Sequence, residues 1–541
     1  MTLPDNQKAR GGSRRAFLWL LLVLAVVTVI RIRLINMPLE RDEGDFAYGG
    51  QLMLQGVSIY QGAYTDALKL PGTCAAYALA MALFGQTTAA IHTAGILVTL
   101  ATAIFVFFLA RRICGDGAGA VAAGATAMLT ISPPSFGLAA HATHFVMLPA
   151  MAGIFLLQHT DERTSAKRIF FAGLLLGIGL VMKQTGAMFG VFAAAWLTYR
   201  ELIAGQKSYR RLMRRLGWLA LGGLLPFTLT CALIAFAGDW PQFWLWTFKF
   251  AAAHAAIITF AEGLETATGV AGQLFMAAPG LGMLALAGVV LLFYTPSLRP
   301  WRFFILGFLI CSIAAAWPGW RGHYFIQMFP AAGLLAGIAF HAAQPLAARL
   351  KTSFAPEALL FPIFFVAIAS PLLQWSGIYF TLTPAQASRA IYTTNPFPEA
   401  VEIGRYLEEH CPPDGRVAVL GSEPEIYFYS HRHSATGYIA TYPLMEPQPY
   451  AVTMQKEMIA QIEKANPDYA VFVHVPGSWL QYSGSNPLIF DWFQKYQAQQ
   501  LRLAGLVEIP PDGPSTYRWF SGDNATVQTS SDFWLAIFQR R

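Results

Sequence analysis

Long apolar stretches recur along the chain up to about residue 380, and short polar segments separate them. An apolar run of roughly twenty residues can cross a bilayer as a helix. The run PGTCAAYALAMALFG, residues 71–85, is shorter, and we expect it to form a re-entrant or interfacial helix. The aromatic run PQFWLWTFKF, residues 241–250, is typical of an interfacial helix as well. The other runs predict about eleven spans, near residues 16–34, 87–110, 116–134, 140–158, 168–182, 185–199, 216–237, 270–294, 302–317, 324–343 and 357–380.

The pattern changes after these runs, where short apolar segments alternate with polar, helix-forming ones. VAVLG, residues 417–421, and YAVFVHV, residues 469–475, are predicted to be buried strands that follow helices. GLVEIP and STYRWF, on either side of PPDGP, are predicted to form a hairpin. The sequence therefore predicts a membrane domain over residues 1–385 and a soluble α/β domain over residues 386–541.

Composition fixes the class of protein. The 541 residues are 55% hydrophobic and only 12% charged, with a mean hydropathy of +0.45. A soluble protein of this size cannot bury so much apolar surface, so the chain is predicted to be a polytopic membrane protein. Its net charge of +7 is explained by basic loops on the cytoplasmic side. No nucleic-acid partner is needed, and the five cysteines form no zinc-binding pattern.

With the N-terminus in the cytoplasm, this topology places the soluble domain outside and gathers ionisable residues on the outer face. A transporter usually keeps such residues near the middle of the bilayer, whereas one shared surface suits an enzyme at the membrane boundary. These residues are Arg41, Asp42, Glu43, Asp45, Asp66 and Lys69 in the first outer loop, His141 and His144, Lys183 in a break between spans, Glu262 and Glu265, and Arg321, His323 and Tyr324 in WRGHYF.

Four of these segments carry a family resemblance. The acidic pair in RDEGDFAYGG, directly after the first span, resembles the Asp-Glu motif of GT-C glycosyltransferases, in particular the protein O-mannosyltransferase-like and aminoarabinose-transferase-like members of family 39 and its relatives. The family's later blocks are similar to YTDALKLPGTCAAYALAMALFG, GLLLGIGLVMKQTGAMFG and RGHYFIQMFPAAGLLAG, in that order. Leu70 departs from the pattern, because the family usually has a proline there.

This resemblance implies a GT-C fold and a sugar donor carried on polyprenyl phosphate, used on the outer face of a bacterial inner membrane. A sugar phosphate leaves as a stable anion, so the reaction needs one carboxylate base and cations for the departing phosphate. Asp42 is the predicted base of an inverting transfer, and Glu43 is predicted to orient it or the acceptor. The predicted phosphate ligands are Lys69, Arg321, His323 and Lys183.

Most of these residues also have a structural explanation that involves no catalysis or binding. The acidic residues, including Asp45, could be solvated charges beside the membrane, and Asp66 could pair with Lys69. His141 and His144 share a helix face, so they could bind a metal or a lipid head group, or form hydrogen bonds between spans. Lys183 could extend toward the interface, and Arg321, next to Tyr324, could be an interfacial anchor. A divalent metal is possible, although no metal ligand is assigned.

Two other functions remain open at this stage. A transporter or lipid flippase with an outer accessory domain would require polar residues along a path through the bilayer. A non-catalytic envelope-assembly protein would leave the outer charges scattered in space. The sugar and the acceptor, whether lipid, glycan or protein, are not specified by the sequence.

Overall fold

The computed structural model describes residues 5–63, 69–161, 163–203, 208–317, 319–350, 354–522 and 526–541. The chain forms two compact units, each built from separate segments. The first unit comprises Met1–Ile35, His92–Ala232 and Phe260–Thr381, and the second comprises Asn36–Ile91, Leu233–Thr259 and Leu382–Arg541. These units group residues by packing, and the predicted division at residue 385 into membrane and soluble domains stays a prediction.

The first unit is made of apolar helices joined by short turns. Short 3-10 segments lie at Pro133–Ser135, Gln184–Gly186, Pro296–Trp301 and Gly322–Met328. Its helices are Asp5–Arg33, Thr88–Cys114, Asp116–Leu129, Ala142–Leu157, Ala166–Met182, Ala187–Leu202, Tyr209–Phe236, Phe260–Ala277, Pro279–Tyr294, Arg302–Ala314, Phe329–Ala348 and Pro356–Gln374, followed by a π-helical turn at Gly377–Thr381.

Within the described residues, six helical segments are long and apolar enough to cross a membrane, or up to seven if one interrupted pair is a single span. Shorter apolar helices include Ala142–Leu157 and Pro279–Tyr294. The protein is therefore a multi-pass membrane protein, and the count of about eleven spans stays a prediction. The long segments are Arg14–Arg33, Thr88–Cys114, Tyr209–Phe236, Pro296–Ala314, Gly322–Ala348 and Pro356–Gln374.

Helix Tyr209–Phe236 is the clearest example of a helix that contacts lipid. In its most apolar stretch of 18 residues, only 11% of the residues are buried by protein. Leu221, Leu225 and Leu229 are all exposed along it. A soluble protein rarely leaves such a continuous apolar surface uncovered, whereas lipid tails solvate it without cost. The outer side of this helix therefore faces lipid.

Small residues bring the inner helices of the first unit close together. Helices Asp116–Leu129 and Phe329–Ala348 pack where Gly333 and Gly337 face Ala118 and Ala122. A Cβ atom at Gly337 would lie 2.6 Å from the carbonyl oxygen of Ala118, so only glycine permits this approach. Backbone contact through small residues is the usual way in which membrane helices associate.

One predicted span is wrong in its bounds. The apolar run at 270–294 was expected to be continuous, but helix Phe260–Ala277 ends and helix Pro279–Tyr294 begins after it. Ala278 lies between them with φ −148° and ψ 62°. Pro279 causes the break, since proline lacks an N–H and disfavours helical conformation at the residue before it.

The second unit combines a six-stranded sheet with short helices. The strands are β1 (Arg416–Leu420), β2 (His433–Ser434), β3 (Tyr469–His474), β4 (Leu501–Ile509), β5 (Thr516–Trp519) and β6 (Phe533–Arg540), in the order β2-β1-β3-β6-β4-β5. The pairs β1–β2 and β1–β3 are parallel, and the others are antiparallel. The helices of this unit are Arg41–Leu54, Ile59–Gly62, Gly72–Phe84, Trp240–Trp244, the π-helix Leu245–Phe250, Ala251–Ala255, Pro384–Tyr392, Phe397–His410, Glu425–Ser430, Tyr442–Met445, Ala451–Ala465, Pro476–Trp479 and Leu488–Gln500.

The predicted hairpin is confirmed as the β4–β5 pair, but strand β6, which lies between β3 and β4, was not predicted from the sequence. The core of this unit also includes residues from its first segment, Asn36–Ile91. Tyr48, Leu52 and Ala63 belong to the same buried cluster as Val417 and Val471 of the sheet. Segment Asn36–Ile91 and the C-terminal segment, Leu382–Arg541, therefore fold together.

Candidate functional site

The acidic motif forms the start of a helix, Arg41–Leu54, which we call the acidic helix. Glu40 is its N-cap: the Glu40 carboxylate accepts from the Glu43 backbone N–H at 3.0 Å, and the Glu43 carboxylate accepts from the Glu40 N–H at 3.3 Å. This reciprocal capping box satisfies two N–H groups that a helix N-terminus otherwise leaves free. The structure thus gives Glu43 a capping role, and its predicted role in orienting Asp42 or the acceptor stays a prediction.

Asp42 and Asp45 lie on one face of the acidic helix and share a cation. Lys69 Nζ is 2.9 Å from Asp42 Oδ1 and 3.8 Å from Asp45 Oδ2. The Asp42 side chain keeps 27% of its surface exposed, whereas Asp45 keeps 1%. The Lys69 ammonium also lies over the Phe46 ring, 4.3 Å from its centroid. The structure therefore holds one accessible carboxylate beside a positive charge that favours its ionised form.

Tyr442 of the C-terminal segment lies close enough to Asp45 and Lys69 for their charges to shift its pKa. Burial, followed by the negative charge of Asp45, raises the pKa of Tyr442, and Lys69 opposes the shift. A phenol with a raised pKa stays protonated and can donate a hydrogen bond. No local sequence signal marks Tyr442, because packing alone brings it near residues that are far away in the chain.

The C-terminal segment also contacts the acidic helix, at Arg41 and Gly44. Arg41 Nε donates to the carbonyl oxygen of Ser422 at 2.6 Å, and an Arg41 terminal nitrogen is 3.4 Å from Glu423 Oε1. A Cβ atom at Gly44 would lie 2.6 Å from the backbone nitrogen of Glu425. The position of Asp42 is therefore set by the Lys69 contact and by the contacts of Arg41 and Gly44 with the C-terminal segment.

Glu425 is fully buried in this contact, and its carboxylate accepts no hydrogen bond from another described residue. Burial, and then the charge of Glu423, raises the pKa of Glu425 well above its usual range. A raised carboxyl pKa contributes stability at acid pH that is lost as pH rises, since the folded state must keep its proton or bury a charge. Glu425→Gln has no proton to lose, so its stability does not fall as the pH rises. We expect its melting temperature to exceed that of the wild type by a few degrees at about pH 8, and this difference should narrow toward about pH 5.

The control for this variant is Glu409→Gln, which changes a carboxylate with 56% of its side chain exposed. Its melting temperature should follow the wild-type pH dependence. A pH-independent difference between Glu425→Gln and the wild type, measured by thermal unfolding in detergent, would contradict the assignment.

In the first unit, two of the predicted site residues stack on each other. The His141 and His323 rings lie 4.4 Å apart between centroids with an interplanar angle of 14°. The Thr143 hydroxyl donates to the backbone carbonyl of His323 at 3.0 Å and holds the two segments together. Both histidines are buried. Two adjacent imidazoles are also ligands that a divalent cation such as zinc accepts.

Lys183 interrupts the helical pattern as predicted, with helix Ala166–Met182 ending before it and a 3-10 turn at Gln184–Gly186 after it. Its Nζ lies over the ring of Tyr324, 3.5 Å from the centroid. The Thr185 hydroxyl donates to Gln327 at 3.0 Å, which joins this break to the segment after Arg321. The lysine is buried, so the aromatic ring stabilises its charge in place of water.

The remaining predicted residues have separate surroundings. Arg321 is exposed at the start of the 3-10 segment Gly322–Met328. His144 is buried and hydrogen-bonded to Thr99 and to the backbone of Gly137, which matches the structural alternative given for it. Asp66 lies outside the described residues. The structure thus brings Asp42, Asp45 and Lys69 together in the second unit, and in the first unit it pairs His141 with His323 and Lys183 with Tyr324.

Known proteins resemble parts of this chain and its overall fold. Residues 70–237 match the profile of the family described as dolichyl-phosphate-mannose-protein mannosyltransferase. No curated protein sequence matches the chain.

Solved structures that are similar over most of the chain include the following two. ArnT from Cupriavidus metallidurans bound to undecaprenyl phosphate has a TM-score of 0.55 and 17% identity, with 85% of this chain and 94% of that chain covered. The archaeal oligosaccharyltransferase AglB from Archaeoglobus fulgidus, in complex with an inhibitory peptide and a dolichol-phosphate, has a TM-score of 0.52 and 13% identity, with coverages of 93% and 74%. At these identities the likeness shows the fold. It confirms the predicted fold class, a GT-C membrane protein with a C-terminal sheet, and with the profile match it confirms the family resemblance.

Proposed function

We propose that the protein is an inverting glycosyltransferase that moves a sugar from a polyprenyl-phosphate donor to an acceptor on the outer face of a bacterial inner membrane. The observation that carries the proposal is the contact of 2.9 Å between Lys69 and Asp42, at the start of a helix that Arg41 and Gly44 fix against the C-terminal segment. A partly exposed carboxylate in a fixed position beside a positive charge is the group that a transfer without a general acid needs. The GT-C fold and the relatives bound to undecaprenyl phosphate and dolichol-phosphate support this choice of donor.

Asp42 acts as the base. Its carboxylate takes the proton of the acceptor O–H or N–H while the acceptor lone pair attacks the anomeric carbon of the donor. The bond from that carbon to the phosphate oxygen breaks, and the electron pair leaves on the polyprenyl phosphate. One displacement on the face opposite the leaving group inverts the anomeric centre.

Cations stabilise the departing phosphate in this proposal. Arg321 is exposed and can present a guanidinium fork to two phosphate oxygens, while Lys69 and Lys183 act as point charges. His323 completes the proposed set as a hydrogen-bond donor. The apolar helices of the first unit provide a surface for the prenyl chain.

Replacing Arg321 tests the phosphate contact directly. We expect Arg321→Gln to weaken the binding of undecaprenyl phosphate by about tenfold to a hundredfold, because a charge-assisted hydrogen bond contributes about 1.5–3 kcal/mol. Arg321→Lys should recover part of the loss. The measurement is equilibrium binding of the fluorescently labelled lipid to protein in neutral-lipid nanodiscs.

The matched control is Arg349→Gln, which removes another exposed arginine at the end of helix Phe329–Ala348. It should bind the lipid as the wild type does. Equal affinities for the wild type and Arg321→Gln would remove Arg321 from the donor site.

A further inference from the structure

A cavity of about 810 Å³ lies within the second unit, lined by the acidic helix, the edge of the sheet and helix Ala451–Ala465. Its size falls within the range of small-molecule sites, about 300–1,000 Å³. Tyr48 and Leu52 line it from the acidic helix, and Arg416, His433 and Lys464 line it from the C-terminal segment. The proposed transfer chemistry assigns no role to this cavity.

The charge of the lining favours an anion. Arg416 and Lys464 are the charged residues that line the cavity, and no carboxylate lies among the described lining residues. Arg416 faces His433 across the parallel β1–β2 pair and donates from one terminal nitrogen to the Ser434 carbonyl at 3.2 Å. Lys464 is exposed and forms no ion pair with a described residue. Burial, followed by the charge of Arg416, lowers the pKa of His433, so this ring is a neutral hydrogen-bonding group at neutral pH.

The cavity is also lined by neutral polar groups, which can form hydrogen bonds to a ligand larger than a simple ion. Gln461 Oε1 accepts from the Thr436 hydroxyl at 2.7 Å and from the Gly437 N–H at 2.9 Å, so its amide NH₂ is the end that can donate to a ligand. The Tyr48 hydroxyl accepts from the Ser434 N–H at 2.9 Å. Burial raises the pKa of Tyr48 to about 12, so its phenol stays protonated. Fixed amide and hydroxyl groups beside apolar side chains are what a sugar ring requires.

We propose that this cavity binds an anionic saccharide, and that this saccharide is the glycan of the acceptor. An inorganic anion would leave most of the volume empty, whereas a saccharide of two or three rings with phosphate or carboxylate groups uses both the cations and the neutral donors. Tyr48 lies six positions after Asp42 on the same helix, or roughly 9 Å along its axis at 1.5 Å per residue. The identification with the acceptor rests on the proposed function; the binding site itself does not.

Binding is measured on the full chain in phosphatidylcholine nanodiscs with three probes: trigalacturonate, neutral maltotriose and inorganic phosphate. We expect trigalacturonate to bind at least tenfold more tightly than either of the others, and more weakly as salt is added. Lys464→Gln and Arg416→Gln should each reduce its affinity roughly tenfold, since each removes one charge-assisted contact. If Arg416→Gln fails to fold, Lys464→Gln alone is sufficient for the test. The control is Lys456→Gln, which replaces an exposed lysine on the same helix that does not line the cavity, and it should leave the affinity for trigalacturonate unchanged.

Each contrary result would overturn one specific part of the proposal. Affinity for maltotriose equal to that for trigalacturonate would show that the ligand need not be anionic. Phosphate binding as tight as that of trigalacturonate would show that the ligand need not be a saccharide. Unchanged affinity in both variants would overturn the site. Intact trigalacturonate binding in a protein that transfers no sugar would overturn the proposed function and leave the site standing. A transfer reaction that Lys464→Gln and Arg416→Gln leave unchanged would show that the bound saccharide is not the acceptor.

Discussion

Asp42→Asn is expected to reduce sugar transfer by about 10²–10⁴-fold, the usual contribution of a general base. Asparagine has nearly the same shape and can still accept a hydrogen bond from Lys69, which lies 2.9 Å from Asp42 Oδ1. It cannot take the acceptor proton. The capping box of the acidic helix uses Glu40 and Glu43 and is left intact, so folding should be preserved. The measurement is the initial rate of product formation, with thermal unfolding as the test of folding.

The matched control is Asp491→Asn, the same change in the first turn of helix Leu488–Gln500. It should transfer sugar at the wild-type rate. An Asp42→Asn protein that melts like the wild type and retains at least half of the wild-type rate would remove Asp42 from the role of base. Donor binding should survive in Asp42→Asn, because the substitution removes no cation.

Lys69→Met is expected to give the second-largest loss, about 10²–10³-fold. The substitution leaves two carboxylates one turn apart without their shared cation. This range is roughly what the loss of one preorganised electrostatic contact beside the reacting groups costs in rate. Because the lost cation favoured the ionised carboxylate, the fall in rate on the acid side should begin at a higher pH than in the wild type.

The shape of the pH profile distinguishes this effect from a general defect in folding. Lys69→Arg keeps the charge and should restore most of the rate and the wild-type acid limb. Lys495→Met, which removes an exposed lysine from the C-terminal segment, should change neither. If Lys69→Met lost rate equally at every pH, with no movement of the acid limb, Lys69 would not act through Asp42.

The parts of this site that depend on local sequence patterns could be predicted. A lone lysine between two apolar runs predicted the break at Lys183, because a helix cannot bury that charge without a partner. The acidic motif was found, but it was placed in a loop. Its Glu40–Glu43 capping box was missed because Glu40 is not one of the residues usually preferred at an N-cap. The apolar runs predicted helices well, and they failed at Pro279, where one proline divides a run in two.

The parts that could not be predicted depend on packing between distant segments. Tyr442 approaches the Asp45–Lys69 group from nearly 400 positions away in the chain, and Glu425 meets Gly44 across a similar separation. No local period or motif encodes such contacts. For the same reason, the sequence did not indicate that Tyr48 and Leu52 of the acidic helix share a buried core with the sheet.

The most direct test of the account is to incubate purified protein with a panel of undecaprenyl-phosphate sugars and outer-envelope acceptors and to follow the lipid by mass spectrometry. The account predicts that at least one donor is converted to free undecaprenyl phosphate with equimolar glycosylated acceptor, and that Asp42→Asn does not convert it. Lipid that crosses a vesicle membrane with its sugar still attached, in the absence of any transfer product, would contradict the account.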